Sequence, residues 1–343
     1  MGSVTFASTG GMSVGRVFHT ATLLGNGKVL VVGGATDRCP SLGPLSSAEL
    51  YDPATGKWTT TGGLKSGRCG CAATLLRDGR VLVVGGAGSS AEVYDPATGK
   101  WTATGSTSTA HGHDPTTLLR DGRVLVSGGS SELYDPTAGL WSPTGGMVAA
   151  DRSNHAATLL RDGKVLAAGG LVNGGPSSSA ELYDPATGKW SATGSMNAPR
   201  NEPAATLLSN GRVLVVGGTD TGSAELYDPS SGRWTPTGEM NHARGQFTAT
   251  LLTDGKVLVV GGATVVGSKD GIQSFTFFPS ELYEPAPGAW ADAGDRIVAR
   301  AGHTATLLDN GKVLLAGGSR TGYTGEESAL SSAELVTYVP ATH

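Results

Sequence analysis

Seven Gly-Gly pairs fix what this chain can become: Gly33-Gly34, Gly85-Gly86, Gly128-Gly129, Gly169-Gly170, Gly217-Gly218, Gly261-Gly262 and Gly317-Gly318. They recur roughly 40–55 residues apart, the period of propeller blades. Each closes a run of one kind: "HTATLL", an Asn-Gly or Asp-Gly turn, then "KVLVVGG". A loop of variable length follows, and then "SAELYDPATGKW". Asn-Gly and Asp-Gly fit a two-residue type I′ hairpin, which needs positive φ. Asp-Pro-Ala-Thr-Gly supplies a second tight turn. The unit therefore reads as four antiparallel strands, a to d, with no helix.

Six tryptophans share one position in strand d, and six tyrosines share one in strand c, Trp58 and Tyr51 being the first of each. Rings at a fixed place in every repeat are expected to fill the space between blades. The seventh unit ends at "SSAELVTYVPATH" without a strand d. The missing strand lies at the other end, where "TFASTGGMSVGR" matches "KWSATGSMNAPR" with Phe6 in the tryptophan slot. The expected fold is all-β: one domain over residues 1–343, a seven-bladed β-propeller with four antiparallel strands per blade. Its ring is closed by an N-terminal strand of about residues 4–10, which completes the last blade and removes an open edge.

Gly-Gly after strand b, tyrosine in strand c and tryptophan in strand d resemble the kelch repeat, across essentially the whole chain. That family includes partner-binding modules, sugar-processing enzymes and galactose-oxidase-type copper enzymes, so the resemblance implies the fold more strongly than the activity.

The net charge of −4 with no basic run argues against a nucleic-acid partner. No apolar segment approaches the ~18–20 residues of a membrane helix, so no membrane partner is expected, and the chain reads as a monomer. The compartment is open. A Cys39–Cys69 disulfide, between neighbouring loops, would favour a secreted or periplasmic setting, and its absence a cytoplasmic one.

The d–a and b–c connections share one end of the blade, called the top, and hold all the length variation. Variable loops on a rigid frame are where binding sites concentrate. The loop after Gly262, with Phe275, Phe277 and Phe278, could form an apolar lip or pack on its own blade.

Aligned on "AATLL", strand a opens with a ring position held by His19, Cys71, Asp114, His155, Pro203, Phe247 and His303. The residue before it is Phe18, Gly70, His113, Asn154, Glu202, Gln246 or Gly302. Two residues further upstream stand six arginines, with His111 replacing the arginine in blade 3. Inter-blade bidentate pairing of these arginines with the strand-c glutamates is the expected structural role. The regular histidines His19, His155 and His303 each suit packing. The exceptions, Cys69 and Cys71 in blade 2, "HGHD" in blade 3 and Glu202 in blade 5, need another cause.

Imidazole, thiolate and carboxylate converging from adjacent blades is transition-metal chemistry: copper first, zinc or iron next. The expected metal ligands are His113 with Cys71 or His155, completed by His303 or His19. Cys71, His113, Asp114 and Glu202 are the catalytic candidates. The galactose-oxidase resemblance places Cys71 at that family's cross-linked cysteine and His303 at one of its copper histidines. It departs at both tyrosine ligands, whose places hold His113 and Gly302. Two functions follow: a metal-dependent oxidoreductase acting on a small molecule or peptide at the top centre, or a non-catalytic kelch module binding a glycan or protein partner.

Overall fold

The structure is a computed structural model describing residues 2–37, 43–269, 272–294, 298–320 and 329–340, with the side chains of 265–275 left aside. The described residues contain strands and no helix. Seven antiparallel sheets carry strands in the order a-b-c-d, one of them with a fifth strand off that path, and these are the blades. Blade 1 is typical: Thr20–Leu23, Val29–Val32, Ala48–Asp52 and Lys57–Thr61. Strand b is buried throughout, whereas strand d is largely exposed. An apolar Val-Leu-Val-Val run is what a strand covered on both faces requires.

The chain divides into two compact units. Met1–Gly70, Thr98–Lys100 and Met240–His343 carry blades 1, 6 and 7, while Cys71–Ala97 and Trp101–Glu239 carry blades 2 to 5. In the first unit, Ser3–Thr9 pairs antiparallel with Ala333–Val339, Phe6 opposite Val336. The N-terminal strand thus completes blade 7 as the sequence match requires.

The core lies between blades. In the second unit Leu125 and Leu133 of blade 3 pack with Val165, Tyr183 and Trp190 of blade 4. Each Tyr–Trp pair meets at a tilt, with 5.2 Å between the Tyr183 and Trp190 centroids. The Tyr183 hydroxyl is 2.7 Å from Thr144 Oγ1 at the end of blade 3. The aromatic body fills the gap and the polar tip bonds the neighbour.

The a–b turns differ from the expected type I′. In blade 1 the Leu24 N–H donates to the Lys28 carbonyl, closing a three-residue loop. Only the glycine has positive φ, +79° at Gly27. This is a type I turn followed by a left-handed residue. Asn26 Oδ1 accepts the Lys28 N–H at 3.1 Å, so the Asx side chain fixes the turn without itself becoming left-handed.

The loop after Gly262 takes the second of its two expected arrangements at Phe278. It is a hairpin in which strand b runs on as Val257–Lys269 and returns as Ile272–Phe277. Phe278 stacks on His242 at 4.4 Å and lies under Arg244, so it packs against its own blade.

The Gly-Gly pair has a steric cause. A Cβ on Gly317 would stand 2.5 Å from the Arg16 carbonyl oxygen and 2.6 Å from His19 Cε1. The Gly318 N–H donates to that same Arg16 carbonyl at 2.9 Å. Backbone and imidazole of the next blade thus occupy the space of the missing side chain. Gly317→Ala, at φ +66°, is expected to lower stability by about 2–4 kcal/mol in denaturant titration. A loss under about 1 kcal/mol would show that this contact is dispensable.

Candidate functional site

The arginines pair within a blade, not between blades. Arg152 Nη2 bonds Glu181 Oε1 at 2.9 Å, both in blade 4. Nη1 bonds the Gly169 and Ser179 carbonyls, and Nη2 also reaches Ser179 Oγ. The pair is therefore not bidentate: one fork arm holds the carboxylate and the other holds the b–c corner. Glu181 in turn accepts the Val148 and Ala149 N–H groups of the incoming d–a connection. Arg16–Glu49, Arg200–Glu225, Arg244–Glu281 and Arg300–Glu334 pair in the same way. These arginines are fully buried and unavailable as an anion-binding ring.

The regular histidines wedge between blades. His19 is 6% exposed, and its Nε2 lies 3.0 Å from Thr304 Oγ1 of blade 7. His303 Nε2 reaches Thr248 Oγ1 of blade 6 at 3.2 Å, and His155 Nε2 reaches Ser127 Oγ of blade 3 at 3.0 Å. Burial, followed by the nearby Arg16 charge, drives the His19 pKa down to about 3. Burial and then Arg152 do the same at His155. In all three, Nε2 is engaged by a hydroxyl group of the neighbouring blade.

Blade 3 replaces the arginine with a different device. His111 Nε2 stands 3.4 Å from Glu132 Oε1, the glutamate that arginine would hold. Its Nδ1 lies 2.9 Å from Asp114 Oδ2. Burial opposes the imidazolium, but Asp114 and then Glu132 outweigh it and raise the His111 pKa. Asp114 thus turns toward its own blade; a Cβ on Gly128 would come within 2.7 Å of its Cγ. His113, next to it in sequence, is exposed.

Cys71 is buried and in no disulfide, and Cys69 is disulfide-bonded. The proposed partner Cys39 lies outside the described residues, as does Tyr323. Glu202 is half-buried. Of the expected site residues, Asp114 is brought against His111, which was read only as a lost arginine. Among the described residues, no three His, Cys, Asp or Glu side chains stand together as a metal-holding group.

A feature missed at the sequence level joins the exceptions. The residue before the ring position is left-handed in six blades of very different chemistry: Phe18 (φ 54°), Gly70 (66°), Asn154 (54°), Glu202 (53°), Gln246 (57°) and Gly302 (62°). His113 completes the set at 59°. Their backbones link blade to blade. In the first unit Gly302 N–H donates to Gln246 carbonyl at 3.0 Å, Phe18 to Gly302 at 3.1 Å and Gly70 to Phe18 at 3.0 Å. In the second, Glu202 N–H donates to Asn154 carbonyl at 3.1 Å. Two glycines and an asparagine among seven occupants are the signal that could have revealed this backbone.

A Kelch motif family model matches residues 16–64 and 152–197, which fall on blades 1 and 4. Those segments hold the Gly-Gly, Tyr–Trp and Arg–Glu elements that recur in most of the other blades. The fold is a seven-bladed propeller with kelch motifs matched in blades 1 and 4. Among solved structures it is similar to a fungal alcohol oxidase of the AA5 family in complex with copper. That likeness has a TM-score of 0.75 at 20% identity and covers 97% of this chain and 75% of the other. No curated protein matches the sequence.

At one position this propeller departs from what the galactose-oxidase resemblance implies. The place of one family tyrosine is Gly302, where a Cβ would lie 2.8 Å from Val17 Cγ2 and 3.2 Å from Phe18 Cε1. The Phe18 ring occupies the room a ligand side chain would need. His303, His19 and His155 spend Nε2 on neighbouring hydroxyls.

Proposed function

We propose that this propeller is a ligand-recognition module that reads a hydroxyl-rich ligand, a glycan, through side chains carried on the left-handed positions of its top end. One observation carries the reading. A left-handed non-glycine residue costs on the order of 1–3 kcal/mol and persists at sites with a use for it. Glycine is accepted at this position, as Gly70 and Gly302 demonstrate. Glu202 and Gln246 have no intrinsic preference for that conformation, yet they occupy it. In the second unit the amide of Asn154 and the carboxylate of Glu202 stand on backbones joined by a hydrogen bond. An amide that donates and accepts, beside a carboxylate that accepts, matches adjacent hydroxyl groups.

Glu202→Gly tests this reading, since it removes the side chain and the strain together. Its denaturation midpoint is expected to hold or rise slightly, while glycan binding by calorimetry falls at least about tenfold, the loss of one charge-assisted hydrogen bond. Unchanged affinity would remove Glu202 from the recognition surface.

A second reading, a metal-dependent oxidoreductase, is favoured by the likeness to the fungal alcohol oxidase and by the buried Cys71, outside any disulfide, at the blade 2 ring position. It requires metal uptake in elemental analysis and loss of that uptake in Cys71→Ala.

A further inference from the structure

The chain contains the Asn-Gly pairs Asn26-Gly27, Asn173-Gly174, Asn210-Gly211 and Asn310-Gly311. Asn-Gly is the dipeptide that cyclises most readily, because glycine has no Cβ to shield its own backbone nitrogen from the asparagine side chain. The reaction needs two free groups, the glycine N–H and the side-chain amide. Three of the pairs have both engaged. Gly27, Gly211 and Gly311 each donate their N–H at 2.9 Å to the carbonyl of a buried leucine, Leu24, Leu208 or Leu308. Asn26, Asn210 and Asn310 accept at Oδ1 the N–H of the residue two further on, at 3.1, 3.0 and 3.1 Å. These turns join strands a and b of four-stranded sheets, so freeing them means opening a blade.

Asn173-Gly174 differs on each count. It forms the tip of a hairpin at the top end of blade 4, where Leu171–Val172 pairs with Gly175–Pro176 in a sheet of two strands. Both residues are exposed, and their φ angles of 51° and 74° are those of a type I′ turn. Among the described residues the Gly174 N–H has no acceptor and the Asn173 side chain has no partner. Pro176 brings no N–H to the ladder. A two-stranded ribbon of this length opens at little cost.

We propose that Asn173 is a self-modifying site, converted to aspartate and isoaspartate through Gly174, and that the product unpins this hairpin. The Gly174 nitrogen gives up its proton and bonds to Asn173 Cγ. The Cγ–Nδ2 bond breaks, and ammonia leaves with the proton. Water then opens the cyclic imide at either carbonyl. Opening at Cγ yields aspartate. Opening at the backbone carbonyl yields isoaspartate, with an extra methylene in the main chain of a tight turn. Either product carries a new carboxylate. Asp151 of the d–a connection stands beside it, because its Oδ2 accepts the Asn173 N–H. Two carboxylates there repel each other and weaken that bond. The hairpin is also tied to the residue before the left-handed Asn154. Leu171 N–H donates to the Ser153 carbonyl at 2.8 Å, and Ser153 N–H donates to the Leu171 carbonyl at 3.1 Å. The change therefore reaches the top end of blade 4, whichever ligand that end binds.

Peptide mapping of the folded protein, aged at mildly alkaline pH, tests the site. Deamidation at Asn173 is expected to run at least about tenfold faster than at Asn26, Asn210 or Asn310. Protein held in concentrated guanidinium should deamidate at all four pairs at similar rates, since each asparagine is followed by glycine. Asn173→Gly keeps a residue that accepts the left-handed turn and should remove the fast phase of ammonia release. Asn173→Asp should lower the hydrogen-exchange protection of residues 171–175 relative to the parent. Equal rates at the four pairs in the folded protein, or the same ranking after unfolding, would overturn the site. Unchanged protection in Asn173→Asp would overturn the unpinning.

Discussion

Arg152→Ala is expected to destabilise the protein by about 3–5 kcal/mol, because removing one partner of a fully buried pair strands the other. The Glu181 carboxylate would remain with only the N–H donors of Val148 and Ala149. The Gly169 carbonyl and the Ser179 carbonyl and hydroxyl would lose their guanidinium donor. Arg80→Ala is the control, since the Arg80 side chain is 40% exposed and its Asp78 pairing lies at the surface, where an ion pair contributes about 0–1 kcal/mol. Urea midpoints of both variants measure the difference. A loss below about 1 kcal/mol for Arg152→Ala would mean that the pair is not what holds the corner. The same argument applies to Arg16, Arg200, Arg244 and Arg300, so the five pairs form a repeated clamp rather than a functional ring.

Acid is expected to unfold the protein through its wedge histidines. His19 and His155 have folded pKa values of about 3, below the ordinary value of 6.5. The unfolded chain therefore binds more protons than the native one between those limits. Stability is fully present above about pH 6.5 and is lost as pH falls toward 3, at about 1.4 kcal/mol per pH unit for each histidine. The slope over pH 4–6 in a His19→Gln/His155→Gln double variant should be shallower than in the parent by roughly twice that amount. Equal slopes would contradict the wedge role. His111 works in the opposite direction, since its raised pKa adds stability on the acid side.

The blades were legible because hydrophobic runs, turn residues and ring positions repeat with the strands that need them. The N-terminal closing strand was legible for the same reason: Thr5–Arg16 has the pattern of a strand d followed by a d–a connection. The site was less legible. Reading which way a ring-position side chain points assumes regular alternation along strand a. The chain enters each strand through a left-handed residue, and alternation fails there. His19, His155 and His303 accordingly lean onto the neighbouring blade, where Gly317 and Gly261 receive His19 and His303. The arginine–glutamate pairing was right in its partners but wrong in placing them across blades. Sequence spacing gave no measure of how far the d–a connection folds back over its own strand c.

Chelator-treated protein on a glycan array tests the central claim most directly. The account predicts a binding profile that survives chelation and is lost in Glu202→Gly. Binding that disappears on chelation and returns with copper would contradict it, as would a profile untouched by that substitution.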